Sequence, residues 1–145
     1  MTNAANTESS SASSNSAHMP FEANELTVSL TVNDLAASLA WYRDVMNFTV
    51  DKQHERGGKL IAVSFKAGTV RMLINQDNGA QGTDRIKGVG FSMMLTTTQN
   101  IDEYAGRITK NGGKLDAEPS DSPFGTRVFR LTDPNGFKFV ISSVR

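Results

Sequence analysis

The chain has 145 residues, enough for one domain, and its 15 Lys and Arg balance 15 Asp and Glu, so the formal net charge is zero. This balance leaves no broad basic surface for nucleic acid, and no apolar run approaches the roughly 18 residues that a membrane helix needs. Because the chain has no cysteine, disulfides, thiolate metal sites and a thiol nucleophile are excluded.

Residues 1–22 are rich in Ser, Ala, Asn and Thr and are predicted to form a disordered tail. The segment lacks the basic start and apolar middle of a secretory signal, so we expect a cytoplasmic protein. Residues 23–145 are predicted to form a single domain.

A first module is predicted over residues 25–75. From 26 to 32 the sequence L-T-V-S-L-T-V alternates apolar and hydroxyl residues, which indicates a half-buried strand. Asn33 or Asp34 then caps a helix with a buried stripe that includes Leu35 and Tyr42. Three strands follow, at 48–53, 60–66 and 69–74, so the order is β-α-β-β-β.

After a polar linker (76–87), a second module over residues 88–143 repeats this order. It has a strand at 89–97, a helix capped by Asn100 with Glu103, a strand at 114–117 and a loop at 119–125. A final hairpin follows at 126–142, in which D-P-N-G at 133–136 forms the turn.

The two modules can be aligned at a fixed offset, which indicates an internal repeat. An offset of 66 places Thr31 on Thr97 and Leu35 on Ile101, and an offset of 68 places Leu73 on Ile141. The sequence therefore predicts an α+β fold in which two βαβββ modules form an eight-stranded open half-barrel, or cup.

The runs L-x-V-N-D-L-x-x-S-L-x-W-Y-R-D-V-M-N-F at 30–48 and L-T-D-P-N-G-F-K-F-V-I at 131–141 resemble the vicinal oxygen chelate superfamily. This superfamily contains glyoxalases, bleomycin-resistance proteins and extradiol dioxygenases. The resemblance implies homodimers, or modules paired within one chain, around U-shaped half-barrels.

The resemblance also implies where a metal ion would bind, since the superfamily's enzymes take His, Glu or Gln from the first and last strands of each module. Family spacing and the internal repeat place these four positions at Thr27, Met72, Met93 and Val140. None is a competent ligand for a divalent ion, and no adjacent residue offers a carboxylate or imidazole. We therefore predict no metal ion, no cofactor and no catalytic residue, as in the bleomycin-resistance branch.

Side-chain alternation extends the predicted lining of the cup. One wall bears hydroxyl groups and the other is apolar, with Lys138 as the one charge placed inward and either Arg127 or Arg130 beside it. The predicted ligand-binding residues are Thr27, Ser29, Thr31, Met72, Phe91, Met93, Lys138 and Val140.

Three functions remain open at this stage. The leading prediction is a metal-free protein that binds a small, neutral or weakly anionic, partly apolar molecule, and that could serve in antibiotic resistance. A second is a metal-dependent lyase or dioxygenase with displaced ligands, such as His54, Glu25 or Asp77. A third is a structural or regulatory homodimer whose cup is filled by side chains.

Overall fold

The computed structural model describes residues 18–82 and 84–145 of the chain. Most of the tail that the sequence predicts to be disordered lies outside the described residues. The first module contains β1 (Thr27–Val32), α1 (Leu35–Ala40), β2 (Thr49–Arg56), β3 (Lys59–Ala67) and β4 (Val70–Gln76). The second contains β5 (Met93–Thr97), α2 (Ile101–Lys110), β6 (Leu115–Asp121), β7 (Arg127–Thr132) and β8 (Lys138–Ser143).

Each module contributes one four-stranded sheet. The strand order is β1-β4-β3-β2 in sheet 1 and β5-β8-β7-β6 in sheet 2. The first and last strands of each module run parallel, and the remaining pairs are antiparallel. The repeated topology confirms the predicted α+β fold of two βαβββ modules.

Local side-chain chemistry fixes both helix starts. Asp34 accepts a hydrogen bond from the Ala37 amide (3.1 Å), and Asn100 accepts one from the Glu103 amide (2.9 Å). The first helix continues as a π-helical segment over Trp41–Val45. The chain then turns at Asn47, whose φ of 61° is a conformation that asparagine tolerates well.

One continuous hydrophobic core joins the two modules. It contains alternate residues of both sheets and the buried stripes of both helices. Tyr42 lies at its centre, since its ring packs 5.7 Å from the Phe65 ring of sheet 1 and 6.0 Å from the Phe139 ring of sheet 2. The helices therefore pack against the same side of each sheet as the core.

Two predicted strand boundaries are wrong. The fifth strand begins at Met93 rather than at residue 89, because Gly88 (φ 82°) and Gly90 (φ 89°) turn the chain before it. The sixth strand runs through Pro119 to Asp121, where the sequence predicts a loop. An edge strand accepts proline because its outward N–H group has no partner to lose.

Two predicted repeat offsets are also wrong by one residue. Leu30 pairs with Ile74 on the core side of sheet 1, and Leu95 pairs with Ile141 on the core side of sheet 2. The first strands of the modules therefore align at an offset of 65 rather than 66, and the last strands at 67 rather than 68. A shift of one residue moves every side chain of a strand to the opposite face.

Candidate functional site

Each sheet has a core face, which packs against the helices, and an open face, which is turned away from them. On sheet 1, pairing of Ser29 with Leu73 and of Leu73 with Ser64 places these three side chains on the open face. The central open-face residues of sheet 1 are Thr27, Ser29, Thr31, Ala62, Ser64, Lys66, Arg71, Leu73 and Asn75.

The open face of sheet 1 is polar, and the charges at its centre are paired with one another. Asp51 lies 3.3 Å from Arg71 and 3.5 Å from Lys66, and Arg71 also lies 3.7 Å from Glu25. This face therefore offers hydroxyl and amide groups to a ligand, and Lys66 and Arg71 are neutralised, whereas Lys52, opposite Ser64 on the edge strand, forms no ion pair within the described residues.

The open face of sheet 2 differs, because its central cations form no ion pair, although the Asp116 carboxylate reaches this face and accepts a hydrogen bond from Thr132, which lies opposite Lys138. Arg130, on β7, lies opposite Val140 of β8. Lys138 lies two residues before Val140 on the same face of β8, so the Cβ atoms of Arg130 and Lys138 are about 7 Å apart. Neither side chain forms an ion pair within the described residues. Met94 pairs with Val140 and is 66% exposed, so an apolar surface adjoins the two charges.

The sequence could not decide which arginine accompanies Lys138, and the structure assigns Arg130. The neighbouring Arg127 binds Asp102 at the start of α2 (2.9 Å) and Asp121 (3.1 Å). Its guanidinium group lowers the pKa of Asp102 through their hydrogen bonds. Arg127 is therefore held on the helix side of sheet 2.

Five predicted ligand-binding residues lie on the open faces: Thr27, Ser29, Thr31, Lys138 and Val140. The predicted placement of Met72 and Met93 in the cup is wrong. Met72 is 4% exposed and Met93 is half-buried, and both pack into the hydrophobic core. Met72 and Met93 were predicted to face the cup because the predicted repeat offsets were wrong by one residue.

Phe91, the eighth predicted residue, precedes β5 rather than lying in it. Its ring packs against the Phe137 ring at a tilt of 51°, with centroids 6.0 Å apart. It borders a cleft of about 330 Å³ together with Ser29 and Thr31. The structure thus brings Phe91 close to the open-face end of β1 by a route that strand alternation did not predict.

A larger cleft of about 410 Å³ lies between the two modules, lined by α2 and also by the open-face residues Lys66 and Thr96, and we call it the inter-module cleft. Its walls come from the end of the π-helical segment, the β3–β4 turn, the end of β5 and α2. Tyr104 lines it, donates a hydrogen bond to the Met46 carbonyl oxygen (2.6 Å) and lies beneath the Arg107 guanidinium. Burial raises the pKa of Tyr104 to about 12, so its hydroxyl remains protonated at neutral pH.

A family model matches residues 24–141, and it describes the Glyoxalase/Bleomycin resistance protein/Dioxygenase superfamily. The chain belongs to this superfamily. A search of curated proteins gave no match.

Solved structures of superfamily-like proteins share the fold at low sequence identity. TioX from Micromonospora sp. ML1 is 16% identical with a TM-score of 0.69, and the match covers 83% of this chain and 98% of TioX. A superfamily member from Sphaerobacter thermophilus DSM 20745 is 19% identical with a TM-score of 0.67, covering 85% and 98%. Lactoylglutathione lyase from Agrobacterium tumefaciens is 22% identical with a TM-score of 0.61, covering 86% and 95%.

The metal site that the superfamily implies does not fit the residues present. With the corrected register, the paired open-face positions of the first and last strands are Ser29 with Leu73 and Met94 with Val140. None of the four strands β1, β4, β5 and β8 contains an Asp, Glu or His on either face. Within residues 18–82 and 84–145, no group of three or more such residues is arranged to hold a metal ion.

The displaced ligands considered from the sequence are dispersed, and two of them are engaged in other contacts. His54 lies on β2, opposite Ala62. Glu25 accepts a hydrogen bond from Thr27 (2.6 Å), and Asp77 binds Lys87 (2.9 Å) in the linker. These three side chains do not form one site within the chain.

Sequence reasoning missed Lys66 and Asp51, because it considered only the first and last strands of each module. It missed Arg71, on β4, because the predicted register turned Met72 rather than Arg71 toward the cup. The signal was present in the hairpin at Gly68 (φ 64°), where Ala67 pairs with Val70 across a two-residue turn. That turn fixes Lys66 opposite Arg71 and so predicts that they share a face.

No helix among the described residues is long and apolar enough to cross a membrane.

Proposed function

We propose that this chain is a small-molecule-binding member of the superfamily whose site uses no metal ion and is completed in a homodimer. The observation that carries the proposal is the pair Arg130 and Lys138, two exposed cations without an ion-pair partner in the described residues, beside the exposed, apolar Met94; Val140 beneath them is buried. Such a surface favours a small molecule with one anionic group and one apolar part.

The class of ligand follows from the two cations and from the apolar surface of Met94 beside them. A carboxylate between Arg130 and Lys138 gains charge-assisted hydrogen bonds, whereas a cationic ligand meets like charges. Met94 adds an adaptable apolar surface for an aliphatic or aromatic group. A weakly anionic, partly apolar molecule therefore satisfies both features.

The proposed homodimer follows from the exposure of the open faces. The inter-module cleft takes only Lys66 from the open face of sheet 1 and Thr96 from that of sheet 2, and neither described cleft reaches Arg130 or Lys138. A cup needs two facing walls, and in a homodimer the hydroxyl-bearing sheet 1 of one copy would supply the wall opposite sheet 2 of the other.

The test is a titration with matched ligands. We expect phenylacetate and 4-phenylbutyrate to bind, in calorimetry and thermal-shift assays, at least about tenfold more tightly than the corresponding amides. Arg130→Gln with Lys138→Gln should remove this preference, whereas Lys110→Gln, on the helix side, should retain it.

Two results would contradict the proposal. One is equal binding of acids and amides in the wild-type protein. The other is a stoichiometric, tightly held divalent ion in protein purified without chelator, which would instead support the metal-dependent lyase or dioxygenase.

A further inference from the structure

The inter-module cleft has an excess of positive charge. Its lining includes two cations, Lys66 and Arg107, and no aspartate or glutamate. Lys66 lies on β3 of the first module and Arg107 on α2 of the second, so both modules contribute charge to one cavity of about 410 Å³. A concave site of this size whose charged side chains are all cationic favours an anionic small molecule.

Arg107 is free to bind an anion. It is exposed, and neither Glu103, one turn earlier on α2, nor any other described carboxylate forms an ion pair with it. Its guanidinium lies 5.8 Å from the centre of the Tyr104 ring, and the Tyr104 hydroxyl is fixed by its hydrogen bond to the Met46 carbonyl oxygen (2.6 Å). This cation–π contact restrains a planar group whose N–H donors match the oxygens of a phosphoryl group.

Lys66 keeps N–H donors for a ligand although it lies near a carboxylate. Its Nζ atom is 3.5 Å from Asp51, which is longer than the roughly 2.7–2.9 Å of a charge-assisted hydrogen bond. Asp51 also lies 3.3 Å from Arg71, so its negative charge is shared between two cations. An ammonium group has three donors, and Lys66 can therefore bind a second anion without losing a hydrogen bond.

The rest of the lining combines hydroxyl groups with apolar side chains. The exposed Thr96 and Thr98 line the cleft, and their hydroxyls form no side-chain hydrogen bond within the described part of the chain. Phe48, Val70 and Leu95 supply apolar surface, and Val70 is 42% exposed. Donors that come from several elements suit the three acceptor oxygens of a phosphate better than a planar carboxylate.

We propose that the inter-module cleft is a second small-molecule site, which binds an organic phosphate or phosphonate that carries an apolar group. Arg107 and Lys66 hold the anionic oxygens from the two modules, the threonine hydroxyls donate to them, and the apolar lining contacts the rest of the ligand. The site uses neither Arg130 nor Lys138 and needs no second copy of the chain, so it goes beyond the function proposed above.

The test uses phenylphosphonate and benzenesulfonamide, which both join a benzene ring to a tetrahedral group but differ in charge at neutral pH. Calorimetry is done in the Arg130→Gln, Lys138→Gln background, which lacks the central cations of the open face of sheet 2. We expect phenylphosphonate to bind at least about tenfold more tightly than benzenesulfonamide. Adding Arg107→Gln should abolish this preference, whereas adding Lys110→Gln, on α2 outside the cleft, should retain it.

A second variant locates the ligand independently of charge. Thr98→Trp places a bulky ring in the cleft and leaves both cations in place, so it should abolish the binding of phenylphosphonate. In amide chemical-shift mapping by NMR, phenylphosphonate should shift the signals of residues 96–99, and Thr98→Trp should remove these shifts.

Three results would overturn the inference: equal binding of the two probes, unchanged binding of phenylphosphonate after Arg107→Gln, and binding that persists in Thr98→Trp. None of them bears on the open face of sheet 2, because the titration with carboxylates tests Arg130 and Lys138 while the cleft is intact. A failure of that titration would equally leave the inter-module site standing.

Discussion

The carboxylate of Asp133 connects the two modules, and its removal should be costly. It is buried in the D-P-N-G turn of the last hairpin and accepts a hydrogen bond from the Tyr42 hydroxyl of the first module (2.7 Å). It also accepts hydrogen bonds from the backbone amides of Asn135 (2.9 Å), Gly136 (2.9 Å) and Phe137 (2.8 Å). Burial and the Asp133 charge raise the pKa of Tyr42, so its hydroxyl remains a donor at alkaline pH.

The magnitudes follow from these contacts. Tyr42→Phe keeps the ring in the core and removes one charge-assisted hydrogen bond, which should lower the free energy of unfolding by about 1.5–3 kcal/mol. Asp133→Ala removes the acceptor for three turn amides and leaves the buried Tyr42 hydroxyl without its partner. It should cost about 4 kcal/mol or more.

A double-mutant cycle measured by urea unfolding separates the pair from its surroundings. In the Asp133→Ala background, Tyr42→Phe should cost almost nothing, because the hydroxyl it removes already lacks its acceptor. Tyr104→Phe is the control, since it removes a hydrogen bond to the uncharged Met46 carbonyl and should cost about 1 kcal/mol. Additive effects of the two substitutions, or a cost below about 0.5 kcal/mol for Tyr42→Phe, would refute the reasoning.

Two further predictions concern Gly88 and Asp77, which lie between β4 and β5. Gly88→Ala should destabilise the protein by about 2–4 kcal/mol in urea unfolding, since φ is 82° and a Cβ atom would clash with the Gly136 carbonyl. Gly106→Ala is the control, because Gly106 lies on α2 with no atom near its Cβ position, and it should stabilise the protein by about 0.5–1 kcal/mol. Equal changes in the free energy of unfolding for the two substitutions would contradict this prediction. Hydrogen bonds from Lys87 hold the pKa of Asp77 at about 2, below its ordinary 3.8, so the stability that Asp77 contributes should be lost as pH falls through this range. Asp77→Asn should flatten the acid side of a melting-temperature profile, and an unchanged acid slope would show that Asp77 is not responsible.

The topology and the helix starts could be predicted because their signals are local. Alternation of apolar and polar residues, the caps Asp34 and Asn100 and the turn at Asp133–Gly136 each act over a few residues. The contact of Tyr42 with Asp133 joins residues 91 positions apart, and no local pattern indicates it. Sequence reasoning therefore recognised the turn and missed the hydrogen bond that ties it to the other module.

The side of the sheet on which each side chain lies was harder to predict, because an error of one residue in the alignment moves every side chain of a strand to the opposite face. One residue, Asn33, separates β1 from the cap of α1, whereas Thr98 and Gln99 separate β5 from the cap of α2. The helices therefore align at an offset of 66 while the strands before them align at 65. That single extra residue moved Met93 from the predicted cup to the core.

This error has unequal consequences for the two functional predictions. The inference that the site has no carboxylate or imidazole donor does not depend on the register, because strands β1, β4, β5 and β8 carry neither group on either face; the amide of Gln76, on β4, is held by the backbone of Leu35 and Asn33. The apolar part of the lining does depend on it, since the correct register puts Leu73 on the open face of sheet 1 and Met94 on that of sheet 2, in place of Met72 and Met93. The pairing of Arg130 with Val140 adds a second exposed cation near Lys138, and the anionic group of the ligand becomes the feature to test first.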